Sequence, residues 1–415
     1  MSTLDDVRLE VRRWIEANWD PELSLREWRT RLLESGWACP SWPVQWYGRG
    51  LPVVADGVVA DELAARGAPG TPGGGGMGLA APTILEHGSD DLRRRLLRPV
   101  ITGEDMWCQL FSEPGSGSDL AGLTTRAERD GDEWVVNGQK VWNTSAHHAD
   151  FGMLLARTDW DVPKHAGITY FALPMHQAGV EVRPLRQMNG YASFNEVFLT
   201  DARVPAANVI GAVNSGWTVA LATLAHERRL APQLARRPKT AVAEGRANTE
   251  ALAEAEDVFR PYVWYPQRAG RADLVPDLAR SSPRGRDPVI RQEIAKLLSL
   301  VRVSQWTAQR AGAARALGRP PGPEGSLAKL HSSAIARASA AVHTRLAGPA
   351  AMLSGSDGPL NGIIAEILVS VPGASIAGGT DEIQHNILGE RILGLPKDPG
   401  IDPHLPFRSI PRNTR

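Results

Sequence analysis

Apolar residues recur every three and four positions along the first hundred residues. Leu4 to Trp14, Leu25 to Leu33 and Val54 to Ala65 all carry this spacing, which places one apolar stripe on a helix. Pro69 to Gly78 interrupts it with four consecutive glycines, Gly73 to Gly76. No strand pattern precedes that run and no Gly-Lys-Ser/Thr follows, so it reads as a connector and not a phosphate loop. From Trp107 to Ile210 the period shifts to two. Asp130-Gly131 and Asn137-Gly138 flank the run Asp132 to Val136, the composition of tight hairpin turns. Strands are expected at Phe151 to Leu155, Ile168 to Leu173, Val180 to Val182 and Glu196 to Leu199. After Val213 the helical period returns over Trp217 to Ala231, Val289 to Ala316, Ser326 to Ala347, Ile363 to Val369 and Asp381 to Leu393. Gln267 to Pro288, rich in Arg, Pro, Ser and Gly, reads as an exposed loop.

The expected fold is therefore α+β: a helical N-terminal domain over 1–105, a central, mainly antiparallel β-domain over 106–212 and a helical C-terminal domain over 213–415. Composition narrows the function classes. Lys plus Arg and Asp plus Glu number 46 each, so net charge gives no reason to expect nucleic acid or an anionic membrane as partner. Two cysteines, Cys39 and Cys108, imply no disulfide framework and are expected to be reduced and buried. The N-terminus lacks the basic and apolar regions of a signal peptide. No apolar run approaches the ~20 residues that span a bilayer. A cytoplasmic protein without a metal is expected.

Three blocks carry chemistry. The first is Cys108-Gln109-Leu110-Phe111-Ser112-Glu113-Pro114-Gly115-Ser116-Gly117-Ser118-Asp119-Leu120. The second is Val136 to Ser145, through Trp142-Asn143-Thr144, and the third runs from Gly378-Gly379-Thr380-Asp381-Glu382 to Arg391. In order and spacing they resemble the signatures of the acyl-CoA dehydrogenase family, and weaker similarity such as Phe194-Asn195-Glu196 extends the resemblance over nearly the whole chain. The resemblance implies a helical domain, a β-domain and a C-terminal helical bundle. It also implies FAD, with Gln109, Leu110, Phe111 and Ser112 on the ring edge and Trp142, Asn143 and Thr144 over one face. Ser118 would lie at an anion or at the substrate, and Thr380 and Glu382 at the phosphoribityl side. Apart from the resemblance, Thr380 reads as a helix N-cap and Pro-Gly-Ser-Gly-Ser as a turn.

Removing an α-hydrogen as a proton requires a carboxylate within hydrogen-bond reach. Many relatives carry it immediately before the Gly-Thr of the third block, where this chain has Gly378. Others carry it in a Leu-x-x-Glu-Arg context, matched here by Leu224-Ala225-His226-Glu227-Arg228. Helical geometry supports Glu227 independently. Trp217, Ala220, Leu224, Glu227 and Ala231 fall on one stripe, widened by Val219 and Leu230, so Glu227 is expected inside the apolar face. The alternative is an ion pair with Arg228 or Arg229. His226 points off this stripe and is expected to be exposed, while Ala225, His226 and Arg228, with Ser118, are assigned to the thioester end of an acyl-CoA.

The resemblance further implies transfer of electrons to an electron-transfer flavoprotein, and a homo- or hetero-oligomer. The Arg-x-x-Phe-Gly with which relatives reach a neighbour's flavin is missing; Arg280 to Arg284 occupies its place, and Arg345 stands where many have Gln. These departures resemble actinobacterial members acting on bulky or sterol-derived thioesters, some of them hetero-oligomers. The leading expectation is α,β-dehydrogenation. A subunit that only completes a partner's flavin site is the alternative, and a flavin oxidase or monooxygenase is a third reading.

Overall fold

The computed structural model describes residues 3–234, 244–317, 319, 322–397, 400 and 402–411. They divide into two compact units: Met1–Leu185 with Ala192–Pro261 and Ile401–Arg415, and Arg186–Tyr191 with Tyr262–Gly400.

The first unit begins with five helices: α1 (Leu4–Asn18), α2 (Leu25–Glu34), α3 (Val54–Ala65), α4 (Ala81–His87) and α5 (Asp90–Thr102). Capping boxes start α1 and α2, where Thr3 and Ser24 accept from the backbone of Asp6 and Glu27 and receive their carboxylates in return. The three-and-four spacing on α1 buries Val7, Val11 and Ile15 with Ala55, Val59 and Leu63 of α3. Each fully buried aliphatic of this size contributes about 1.5–3 kcal/mol relative to exposure. The glycine run leads into a single wide turn, Gly76–Ala80, continuous with α4.

Seven strands follow: β1 (Trp107–Leu110), β2 (Arg126–Asp130), β3 (Glu133–Val141), β4 (Phe151–Arg157), β5 (Ile168–Pro174), β6 (Val180–Leu185) and β7 (Phe194–Pro205). Their order is β1-β4-β2-β3-β7-β6, with β5 on β4. The β2–β3, β3–β7, β4–β5 and β6–β7 pairs are antiparallel, and β1–β4 is parallel. Asp130-Gly131 makes the expected hairpin turn. Asn137-Gly138 does not: it lies inside β3, where the register against β7 shifts. Glycine is needed there for close approach, because a Cβ would lie 2.3 Å from Thr125 Oγ1 and 2.7 Å from its Cα.

Arg157, at the end of β4, is fully buried. It donates to the carbonyls of Ala121 (2.7 Å), Leu123 (3.2 Å) and Lys164 (3.1 Å). The Phe407 ring covers its guanidinium, and Phe407 N donates to Val162 O at 2.9 Å. Helices α6 (Gly216–Leu234) and α7 (Arg246–Phe259) complete the unit. Both cysteines are free and buried, and burial pushes the Cys108 thiol up to about 12.

The second unit holds α8 (Tyr265–Arg268), α9 (Val275–Ser281), α10 (Pro288–Ala316), α11 (Glu324–Ala347), α12 (Ile363–Ser370) and α13 (Asp381–Ile387). Val275, Ile290, Leu297, Val342 and Leu346 form its main core. Gln267 to Pro288 is thus no open loop. Pro266 and Pro276 sit in first turns, where proline is tolerated, and Val275 is fully buried. The helix expected over Asp381 to Leu393 ends at Ile387 and gives way to a wide turn, Leu388–Ile392. Among the described residues no helix is long and apolar enough to cross a membrane.

Candidate active site

Strand β1 lies at the end of the sheet and, among the described residues, pairs only with β4. On it, Gln109 is half-buried while Leu110 and Phe111 turn their side chains into the apolar cores. Of these two assigned contacts, only backbone atoms remain for a ligand. Phe111 O already accepts from Lys140 Nζ at 3.0 Å, and Ser112 O from Val141 N at 2.9 Å.

Lys140 and Glu113, not singled out as site residues from the sequence, are the buried anchor beneath this edge. Lys140 Nζ lies 2.9 Å from Glu113 Oε1 and its side chain is fully buried. Glu113 also accepts from Thr124 N, Thr124 Oγ1 and Thr125 N. Burial pushes its carboxyl up, but Lys140 and these donors pull harder and hold it at about 2. The turn beyond is braced by Ser116 Oγ donating to Asp119 O at 2.6 Å. Cβ atoms on Gly115 or Gly117 would meet nothing within 4 Å, and Ser118 is exposed.

The second block is held against β1 by asparagines. Asn143 Nδ2 donates to Gln109 O at 2.7 Å. Asn143 and Asn195 exchange backbone bonds of 3.1 and 3.0 Å, and Asn195 Nδ2 adds a third at 2.8 Å. Trp142 (φ 65°) and Ser145 (φ 59°) bracket the segment in the left-handed region, a conformation costing about 1–3 kcal/mol that these bonds enforce. Trp142 is 56% exposed and meets the Phe194 ring edge-on. Thr144 is half-buried. The buried Oδ1 of Asn143 finds no donor among the described residues, while the Asn195 side chain is engaged by His147. An exposed indole, an edge strand, the orphaned Asn143 acceptor and an open glycine turn fit a flat ring with polar edges and an anionic tail.

Helix α6 brings the carboxylate. Gln109 Nε2 donates to Glu227 Oε2 at 3.3 Å, and both residues are half-buried. The buried stripe of α6 is Val219, Ala220, Thr223 and His226, so Glu227 sits on the flank of the apolar face and not inside it. The side chains of Leu230 and Ala231, invoked for that stripe, lie outside the described residues. Two turns of the stripe are occupied by polar groups that find partners, which a hydropathy count does not register. Thr223 Oγ1 lies 2.9 Å from Thr83 Oγ1 and 3.2 Å from Tyr170 OH. His226, expected to be exposed, is 6% exposed with Nε2 3.3 Å from Glu86 Oε1 of α4. Ala225 is half-buried and Arg228 exposed.

In the second unit, Thr380 Oγ1 accepts from Ile383 N at 3.2 Å as an N-cap, and Glu382 is exposed. Asp381 is buried, 2.6 Å from Arg337 and 3.4 Å from Lys329. Gly378 has φ 70°, where a glutamate would be strained. Arg284 packs against Gly348, and Arg345 pairs with Glu293 at 2.8 Å.

Three family models cover the chain: the N-terminal domain of acyl-CoA dehydrogenases matches residues 4–104, the middle domain 108–202 and the C-terminal domain 275–393. Acyl-CoA dehydrogenase IpdE1 of Mycobacterium tuberculosis is 33% identical over 96% of this chain and 99% of its own length. FadE34 of the same organism is 37% identical over 88% of this chain, a match spanning 46% of FadE34. Among solved structures, the ChsE4-ChsE5 complex from M. tuberculosis superposes with a TM-score of 0.65 at 26% identity, covering 96% of this chain and 99% of that one. Full-length similarity and three consecutive domain matches have one meaning: the chain belongs to the acyl-CoA dehydrogenase family.

Proposed function

We propose that the chain oxidises an acyl-CoA thioester to the trans-2-enoyl thioester, with Glu227 as the base that takes the α-proton. The observation that carries this reading is the Glu227 carboxylate within 3.3 Å of Gln109, the side chain projecting from the strand edge that the first block forms. FAD, when bound, supplies the acceptor for the β-hydrogen and its electron pair. Gln109 to Ser112 would meet its ring edge through backbone groups, Trp142 and Thr144 its face, the Asn143 Oδ1 acceptor an N–H on its rim, and Ser118 an anionic group. Thr380 and Glu382 are assigned to its phosphoribityl side by the resemblance. Ala225, His226 and Arg228, on the turn of α6 that carries Glu227, are assigned to the thioester end.

Electron-transfer flavoprotein is the proposed onward acceptor, and an oligomer the proposed assembly. Gly378 and the absence of Arg-x-x-Phe-Gly favour a second reading, a subunit that completes the flavin site of a different chain. The relative solved as a ChsE4-ChsE5 complex supports keeping it.

The test is anaerobic titration of the flavin absorbance of the purified chain with acyl-CoA thioesters, including bulky and sterol-derived ones. Bleaching by one thioester, lost at least a hundredfold in rate in Glu227→Gln, is expected. Bound flavin that no thioester bleaches, or a flavin-to-chain ratio well below one, supports the partner-dependent reading instead.

A further inference from the structure

We infer that Lys140 is a positioning residue for the flavin: it locks the Phe111–Ser112 peptide so that Ser112 N–H is aimed at the ring edge and favours the reduced ring. This rests on the reading of the first block as the ring-edge contact of FAD. Phe111 O points inward, where it accepts from the fully buried Lys140 Nζ at 3.0 Å. No cis peptide occurs among the described residues, and in a trans peptide the N–H and C=O point in opposite directions. Ser112 N–H is therefore turned away from Lys140. The next peptide is pinned as well, because Ser112 O accepts from Val141 N at 2.9 Å. With both flanking peptides held, the direction of this N–H is held too. Ser112 is half-buried, and its N–H donates to no backbone carbonyl among the described residues.

The lock is stiff because its anchor is. Glu113 Oε1 takes Lys140 Nζ at 2.9 Å and Thr125 N at 2.8 Å, while Oε2 takes Thr124 N at 2.7 Å. A lysine ammonium is compact and has three donors, so one head group can hold a carbonyl and a carboxylate together. The pair is neutral as a whole. What it delivers to a ligand is the direction of a backbone dipole and no net charge.

Reduction places two electrons on the flavin, and negative charge gathers at its polar edge. A donor already aimed there needs no reorganisation and binds the reduced ring more tightly than the oxidised one. A peptide free to turn would spend part of its time presenting a carbonyl instead, which opposes that charge.

The experiment uses the purified chain loaded with FAD and needs no thioester. The midpoint potential of the bound flavin is read by anaerobic reduction against a reference dye. In Lys140→Met/Glu113→Gln both charges are removed together, so the net charge near the ring is unchanged. Reduced flavin is expected to lose about tenfold more affinity than oxidised flavin, a fall of about 30 mV in the two-electron potential. Lys140→Gln/Glu113→Gln, whose side chain at 140 is one bond shorter than lysine, is expected to show the same fall and serves should the first variant fold poorly. An ion pair that only supports the fold predicts a lower unfolding midpoint with an unmoved potential, and that pattern in either variant overturns the proposal. The failure of the underlying reading looks different: the wild-type chain would then bind no FAD, and the proposal falls with it.

Discussion

Lys140 shows how one buried side chain can organise a ligand-facing edge. Its ammonium is shared between Phe111 O and Glu113, which in turn collects two backbone N–H groups. Breaking a buried pair from one side strands the other charge, at a cost of about 3–5 kcal/mol. Lys140→Met is therefore expected to lower stability by that amount in urea unfolding. Adding Glu113→Gln should restore part of the loss, a recovery that independent effects would not give. Both residues stand inside blocks whose resemblance to the family is plain in the sequence, yet their pairing is not legible there. Lys140 occupies an ordinary position in a β-strand, 27 residues from its partner, and only the closing of β3 against the first block joins them. His226 departs from its expected exposure for a related reason: apolar periodicity gives helical phase from apolar residues alone, whereas Glu86 gives this polar side chain a buried place.

At the scale of elements, most of the fold was legible because its periodicities are long. Val54–Ala65 is the helix its spacing predicts, and α10 and α11 lie within one or two residues of theirs. Where chemistry is shared between elements, the sequence was silent. Asn137-Gly138 carries a turn signature but serves a bulge, because Thr125 presses against Gly138 from outside β3. Helix α6 is pinned in a similar, non-local way: Thr223 meets Thr83 of α4 and Tyr170 of β5 one turn before Glu227. Thr83 and Thr223 also approach the carbonyls of Leu79 and Val219. Three hydroxyl protons cannot satisfy all four contacts at once, so they are shared and the cluster depends on every member. Thr223→Val is expected to cost about 1–3 kcal/mol by leaving two buried hydroxyls short of a partner. Urea unfolding of this variant checks it, and pairing it with Tyr170→Phe should recover part of the loss.

For the molecule as a whole, acid should act on both units together. Hydrogen bonds from Arg12 and Arg8 hold Glu62 at about 2 against the opposing effect of burial. Burial acts against Asp381 more than any single partner, yet Arg337, Ser333, Ser375 and Lys329 together hold it at about 2. Glu113 stands at the same level. Ordinary values for these groups are 4.5 for Glu and 3.8 for Asp. Each carboxyl is depressed in the folded state, so its contribution is complete above the ordinary value and disappears as pH falls through about 2. Thermal stability followed from pH 5 to pH 2 should fall steadily through that window, and in Lys140→Met the Glu113 share of the fall should vanish. The contacts around Arg157 bear on a different aspect of the molecule. Beside it, Arg408 pairs with Asp161 across 247 residues of sequence, and Phe407 supplies the ring that covers the buried guanidinium. On a ribosome adding about 5–20 residues per second, the covering segment emerges roughly 12–50 s after the strand it covers. Until then the Arg157 guanidinium has its carbonyl partners on Ala121, Leu123 and Lys164 but not its aromatic cover, and a chaperone that shields this corner would act in that interval.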